Sequence, residues 1–309
     1  MKNSSATAPP ILIFLAFAAV YLIWGSTYLG IAIAIKSIPP MIMGGTRFLI
    51  AGTLLFLWCH FINKDRSVIK DWRDNGIAGT LMLFGGNGAV AWVEQYLPTG
   101  IVAVAVASLP IWLAILDKPN WRVTFSKSTP IIGLLLGFAG VILLFTSGKK
   151  ITLNDSPLAS ISIPVLIAGN ISWALGTLYS KNIKSSTPIF LRVSIQMLAA
   201  GLLYAIVGVI SGEWRSFNIH HAETNSLLAI VYLILCGSLI GYVAYIWLLT
   251  VRPAAQVGTF AYVNPAVAVL LGWLVLNEKP TIFTLLSLIV ILAGVVLINL
   301  SYKKTNSNS

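Results

Sequence analysis

The chain has 309 residues, of which 57% are hydrophobic and 9% charged, with a formal net charge of +11. A water-facing globular surface carries about 25% charged residues, so an ordinary soluble protein is excluded. The Lys and Arg lie scattered through short segments between apolar runs, a pattern of membrane orientation signals that argues against a nucleic-acid partner.

Ten apolar runs are expected to cross a bilayer, over residues 11–35, 41–62, 76–96, 99–116, 129–147, 159–180, 189–211, 227–250, 255–276 and 281–301. Crossing about 30 Å of hydrocarbon takes roughly 20 residues at 1.5 Å each, and the fourth run is the shortest of the set. The fold class expected is an all-α integral membrane protein.

The first run holds Ala16-Phe17-Ala18, which has the spacing of a signal-peptide cleavage site. Only five apolar residues precede it, however, and the apolar run continues to Ile35, so retention as a membrane helix is expected. Its polar and aromatic content concentrates in Trp24-Gly25-Ser26-Thr27-Tyr28. In the second run Arg47 lies seven residues past Pro40, about 10 Å into the helix. A charge at that depth costs about 2.5–3.5 kcal/mol, so it should face protein or water unless its long stem snorkels to the headgroups. Cys59, at the end of this run, and Cys236, in the eighth, both sit among apolar residues and suggest no disulfide framework.

The third run carries Gly85-Gly86-Asn87-Gly88, which weakens the helix near mid-membrane, and then Glu94. Glu94 is the only carboxylate this reading places within an apolar run. It is either solvated at the outer end, paired with Arg47, or a carboxyl that cycles a proton. Pro110 in the fourth run and Pro265 in the ninth should kink their helices and mark gating positions. Gly133-x-x-x-Gly137 in the fifth permits close helix approach and reads as an interface. The later runs contribute Trp173, Tyr179, Gln196, Tyr242, Tyr245 and Asn264. Arg192, four residues past Pro188, reads as a snorkelling residue near the surface. Polar groups in spans more often tie helices together than bind a ligand, which is the plainer reading for each of these taken singly.

An internal repeat organises these positions. Trp24 matches Trp173, Pro39 matches Pro188 and Ala51-Gly52 matches Ala200-Gly201, all at an offset of 149. Pro98 matches Pro253 and Pro110 matches Pro265 at 155, and the segment Glu213 to Ser226 supplies the extra residues. The expected units are residues 10–147 and 157–302. Five spans per unit is odd, so the second unit enters the membrane from the opposite side. Such inverted pairs give two gates around one central site. Arg47 corresponds to Gln196 under the repeat, so the chemistry is not duplicated with the scaffold. Thirteen Lys and Arg then fall on the side of the termini and five on the other, which places both termini in the cytoplasm.

Trp24-Gly25-Ser26-Thr27-Tyr28, Arg47 followed by Ala51-Gly52, and Gly85-Gly86-Asn87-Gly88 resemble the EamA family of the drug/metabolite transporter superfamily. The run from Glu94-Gln95-Tyr96 through Pro98-Thr99-Gly100 to Leu109-Pro110-Ile111-Trp112, and Tyr262-x-Asn264-Pro265 leading to Glu278, extend the resemblance over nearly the whole chain. It implies a ten-helix bundle with a central cavity in a bacterial inner membrane, and export of amino acids or related metabolites. One departure is Asp117-Lys118-Pro119 closing the short fourth run, where the second copy has Asn277-Glu278-Lys279-Pro280.

The expected partners are a small-molecule substrate and the lipid bilayer, with proton coupling resting on Glu94 alone. No cofactor or metal is expected. The histidines lie at the end of a run (His60) or in a loop (His220, His221), away from any intramembrane serine, which disfavours an enzyme. A channel or a lipid-handling protein is the alternative on the same scaffold. The candidate substrate-binding set is Trp24, Ser26, Tyr28, Arg47, Asn87, Glu94, Trp173, Tyr179, Gln196, Tyr242, Tyr245 and Asn264.

Overall fold

The computed structural model describes residues 8–97, 99–125, 128–146, 157–276 and 281–306. Pro98, Glu278 and, among the Lys and Arg counted above, Lys2, Lys127, Lys149, Lys150 and Lys279 lie outside them. The described residues form helices and no strands. Eight helices are long and apolar enough to cross a membrane: α1 (Pro10–Ala34), α2 (Pro40–Ile62), α3 (Ile69–Val93), α6 (Ile161–Asn182), α7 (Ile189–Ile210), α8 (Thr224–Val251), α9 (Ala254–Leu271) and α10 (Ile282–Leu300). Two shorter apolar helices, α4 (Val102–Leu116) and α5 (Ser128–Leu144), fill the remaining places in the order. Large apolar side chains such as Phe14, Leu22, Ile210 and Ile289 cover the outside at more than half exposure, which only an apolar surrounding tolerates.

Prolines set several of the helix starts. Pro39 and Pro188 both stand at the N-terminal cap with φ −54° and ψ 145°, so two residues 149 apart direct α2 and α7 into the bundle identically. Proline suits this place because the first helical N–H groups lack intrahelical acceptors anyway.

Packing follows the same correspondence. α2 packs most extensively on α7, and α5 on α10, so each of these helices meets its own repeat counterpart. At the α2–α7 crossing, a Cβ on Gly52 would lie 3.0 Å from the Leu198 backbone nitrogen. A Cβ on Gly201 would lie 2.8 Å from that of Leu49. Both residues of each contact are shifted by 149, so one close approach is made twice. At the α5–α10 crossing Gly137 packs against Gly294, consistent with the interface reading of Gly133-x-x-x-Gly137.

Four sequence expectations are corrected. First, α3 begins at Ile69, not at 76, because the Asp71 side chain accepts from the Val68 N–H (3.2 Å) and the polar face of its first turns is buried. Second, the acids within the third span are Asp71 and Asp74, at 6% and 7% exposure, whereas Glu94 caps its C-terminal end after Val93. Third, the two prolines do not act alike. α4 is interrupted at Ala107-Ser108 and resumes with Pro110 in the first turn, whereas Pro265 sits inside a continuous helix from Phe260 to Leu276. The break in the second half falls earlier, between Val257 and Phe260. Fourth, Arg192 does not snorkel. Its guanidinium turns inward, Nε to Asn75 Oδ1 (3.4 Å) and an Nη to the Ser180 carbonyl (2.9 Å).

Candidate functional site

Both helix interruptions are secured by a side chain from the other half of the chain. At the α4 break, Asn170 of α6 donates to the Ala105 carbonyl (2.5 Å) and to Ser108 Oγ (3.0 Å). At the α9 break, the hydroxyls of Tyr21 of α1 and Thr259 lie 2.6 Å apart. Tyr21 and Asn170 are again separated by 149. Two further helices widen into π-helical turns near mid-length, Thr80–Gly86 in α3 and Leu233–Tyr242 in α8. Such turns free backbone carbonyls and often mark functional places. Here Ser172 and Tyr204 donate to the carbonyls of Leu81 and Leu83 (2.8 and 2.9 Å), and the Trp24 indole donates to that of Gly237 (3.1 Å).

These four irregular segments surround a cavity. Trp24 of α1 and Trp173 of α6 meet edge to face at 5.5 Å, and Phe260 of α9 stands 4.7 Å from the Trp24 ring, forming an aromatic wall. Each Trp lies against a glycine of the opposite half. A Cβ on Gly241 would come within 2.6 Å of Trp24, and one on Gly86 within 2.8 Å of Trp173.

Arg47 supplies the charge. It is 4% exposed, and its Nε donates to Ser238 Oγ on α8 at 2.8 Å. Gly237 makes room for the guanidinium, because a Cβ there would stand 2.8 Å from an Nη. One Nη of Arg47 has no hydrogen-bond partner among the described residues. Two amide oxygens lining the same cavity, Asn87 Oδ1 and Asn264 Oδ1, are equally without one. Buried polar groups are ordinarily satisfied, so unpartnered groups facing one cavity indicate places a ligand would complete.

Seven of the twelve sequence candidates line this cavity together: Trp24, Tyr28, Arg47, Asn87, Trp173, Tyr242 and Asn264. Tyr245 lies behind the wall, its hydroxyl 2.6 Å from Thr177 Oγ1 and 3.1 Å from the Trp173 indole nitrogen, which donates to it. Glu94 follows the last turn of α3, its amide bonded to the Val90 carbonyl (3.0 Å), one turn beyond a lining residue. Of the three alternatives for Glu94, pairing with Arg47 is not formed. Arg47 is held on α8, and neither Glu94 carboxylate oxygen has a partner among the described residues.

Three candidates lie elsewhere. Ser26 points to the opposite face of α1, bonding the Ile23 carbonyl (2.7 Å) and the Tyr232 hydroxyl. Tyr179 is 37% exposed at the end of α6 and donates to Asp74 Oδ1 (3.3 Å). Gln196 is fully buried in a network that reaches the cavity only through Tyr242, whose hydroxyl donates to Gln196 Oε1 at 2.5 Å. Gln196 Nε2 in turn donates to Asn75 Oδ1 (3.0 Å) and Ser180 Oγ (3.2 Å). Asp71 accepts from Ser185 (2.7 Å) and Thr187 (2.5 Å) nearby.

Sequence reasoning missed Phe48, Asn170 and Phe260 as lining residues and Ser238 as the partner of Arg47. Only Asn170 carried a usable signal, an amide in an apolar run at the repeat offset from Tyr21.

The model of the EamA-like transporter family matches the chain twice, over residues 11–146 and 160–300. The inner membrane transporter YedA of Escherichia coli (strain K12) is 36% identical over 290 residues, 93% of this chain and 90% of its own. The transporter YoaV of Bacillus subtilis (strain 168) is 26% identical over 291 residues, 92% of this chain and 95% of its own. A solved crystal structure superposes over 95% of this chain and 98% of its own with a TM-score of 0.75 at 16% identity, a likeness of fold.

Proposed function

Since the chain belongs to the EamA-like transporter family and is a membrane transporter of that type, we propose that it carries small zwitterionic metabolites, foremost amino acids, by alternating access around the cavity lined by Arg47. The observation that carries this reading is the cavity's mixed chemistry. An unpartnered guanidinium nitrogen suits a carboxylate, unpartnered amide oxygens suit an ammonium, and the wall of Trp24, Trp173 and Phe260 suits an apolar side chain.

The scaffold proposed is ten membrane crossings arranged as two inverted five-helix units, residues 10–147 and 157–302. Its support is the doubled pattern of contacts: Gly52 with Leu198 against Gly201 with Leu49, Trp24 with Gly241 against Trp173 with Gly86, and Tyr21 against Asn170 at the two helix breaks. An inverted pair with a binding site at its centre supplies two gates of opposite orientation, which is what alternating access requires. The excess of Lys and Arg on the side of the termini favours both ends in the cytoplasm; export as the direction rests on the family resemblance alone. The inner membrane location of YedA supports the same membrane for this chain.

Reconstituted vesicles test the reading. Efflux of labelled amino acids should saturate and show counterflow. Flux that rises linearly with concentration would point to a channel, and translocation of labelled lipid without solute flux would point to a lipid-handling protein. A thermal-shift screen of amino acids, nucleosides and sugars on the purified chain narrows the substrate, because a bound ligand stabilises the fold by mass action.

A further inference from the structure

The bond between Tyr242 and Gln196 has a counterpart under the repeat that is left unmade. Gln196 corresponds to Arg47 at the offset of 149. Tyr242 corresponds to Asn87 at 155, the offset that also relates Gly241 to Gly86 one residue earlier. In the second half the Tyr242 hydroxyl donates to Gln196 Oε1 at 2.5 Å. In the first half the equivalent positions carry a donor and an acceptor, an Nη of Arg47 and Oδ1 of Asn87, and neither atom has a partner among the described residues. Both residues line the cavity. The helices touch along this stretch in both halves, α2 against Asn87–Val93 and α7 against Val243–Val251. A bond from Arg47 to Asn87 would therefore draw together helices that are already neighbours.

The two pairs lie toward opposite ends of the bundle. Arg47 stands near the start of α2 and Asn87 near the end of α3, each about 10 Å by helical rise from the end away from the termini. Gln196 stands near the start of α7 and Tyr242 near the end of α8, on the side of the termini. There the Tyr242–Gln196 bond continues into Asn75 and Ser180, and Trp24, Trp173 and Tyr245 pack across the floor of the cavity. One side is thus bonded shut and the other holds two orphaned, complementary groups. Alternating access requires the two sides to exchange these conditions. We propose that Arg47 and Asn87 form the gate on the side away from the termini: they bond to each other when that side closes, as Tyr242 and Gln196 separate on the other. The pair forms in the empty cavity, because a solute carboxylate takes the same Arg47 nitrogen. The inference rests on the carrier reading, but closure of the gate is measurable without transport.

Cysteine reactivity reads the gate. Leu83 lines the cavity four residues before Asn87 on α3, about 6 Å deeper from the gated side. In the full-length protein carrying Cys59→Ala, Cys236→Ala and Leu83→Cys, the rate of reaction with a small methanethiosulfonate reagent measures how often that side stands open. Asn87→Asp turns the gate pair into an ion pair and should slow the reaction at least about fivefold. Adding Arg47→Gln to Asn87→Asp should restore the rate. An unchanged rate in Asn87→Asp overturns the proposal. So does a slowing that persists with Arg47→Gln, which would reflect only the new carboxylate beside the thiol. If Asn87→Asp does not fold, Tyr242→Phe decides. It releases the opposite pair and should slow the reaction at least about twofold, and adding Asn87→Leu should abolish that slowing. A rate unmoved by Tyr242→Phe, or a slowing indifferent to Asn87→Leu, would then sink the gate. Saturable amino-acid flux with unmoved reactivity would leave the carrier reading standing without this gate, and the reactivity pattern without flux would do the reverse.

Discussion

Two buried polar clusters in this bundle use similar residue types and end in opposite states. The first joins Asp71 and Asn75 of α3 to Ser180 of α6 and to Arg192 and Gln196 of α7, and none of its buried side-chain atoms lacks a partner among the described residues. The second, around the cavity, leaves Arg47, Asn87, Glu94 and Asn264 each with at least one orphaned atom. A satisfied network in a low-dielectric interior rigidifies the helices that share it. An unsatisfied one is a cost that a ligand can offset. The first cluster therefore reads as a closure between α3 and α6–α7, and the second as the place where a solute sits. Tyr242 joins them, lining the cavity on one side and donating to Gln196 on the other.

That contrast predicts opposite responses to mutation. The largest effect belongs to Arg47→Ala, which should lower transport by at least about 100-fold, the loss of one charge-assisted contact with the solute. The same change removes a buried, partly unpaired charge, so the melting temperature of the ligand-free protein should hold or rise. Normal transport by this variant would reduce Arg47 to a packing residue and dissolve the distinction.

Asn75→Ala is the counterpart in the closed cluster. It strips Arg192 and Gln196 of a shared acceptor and should cost about 2–3 kcal/mol, read as a lower melting temperature and faster amide exchange at the start of α3. A melting temperature equal to the wild type would mean that this network does not secure the helices it touches. Tyr242→Phe should be milder, about 1 kcal/mol, because it removes a single hydrogen bond and keeps the ring. If Tyr242 transmits between the clusters, this variant should shift the transport KM as well as stability, whereas Gln196→Leu, which leaves the cavity lining intact, should act mainly on stability.

Hydropathy and repeat spacing made the scaffold legible, because both depend on periodicities that survive without side-chain detail. The identical dihedrals at Pro39 and Pro188 and the doubled contact of Gly52 and Gly201 are the physical content of the 149 offset. Arg47, Asn87 and Asn264 were findable because a charge or amide in an apolar run must face protein or water. Three kinds of information were hidden. Ser26 and Trp24 stand two residues apart on α1, and which of them faces the cavity depends on helix rotation, set by neighbours distant in sequence. Asp71, Asp74 and Asn75 looked like loop residues because their helix starts polar and becomes apolar only after one more turn. Ser238 looked like an ordinary small residue, and only the α2–α8 packing places it under the Arg47 guanidinium.

The smallest predicted effect tests whether the opposite rim follows the same logic of satisfaction. Glu213, on the short helix after α7, accepts from the N–H groups of Met41 and Ile42 at the start of α2 (2.9 and 3.3 Å). It thereby serves donors that Pro39 and Pro40 cannot. Burial pushes its carboxyl above the ordinary range, against the opposing pull of those two N–H groups. A raised carboxyl takes up its proton more readily in the folded chain, so its contribution to stability falls as pH rises through the carboxylate range and returns as pH is lowered. Glu213→Ala should cost about 1 kcal/mol by orphaning the two N–H groups. Glu213→Gln keeps an acceptor without the charge, so it should match or slightly exceed the wild type near neutral pH, and the difference should close as the wild-type carboxyl becomes protonated. Melting curves of both variants across that range decide it. A Glu213→Gln protein less stable than the wild type at neutral pH would mean that the full negative charge at the start of α2 outweighs its burial.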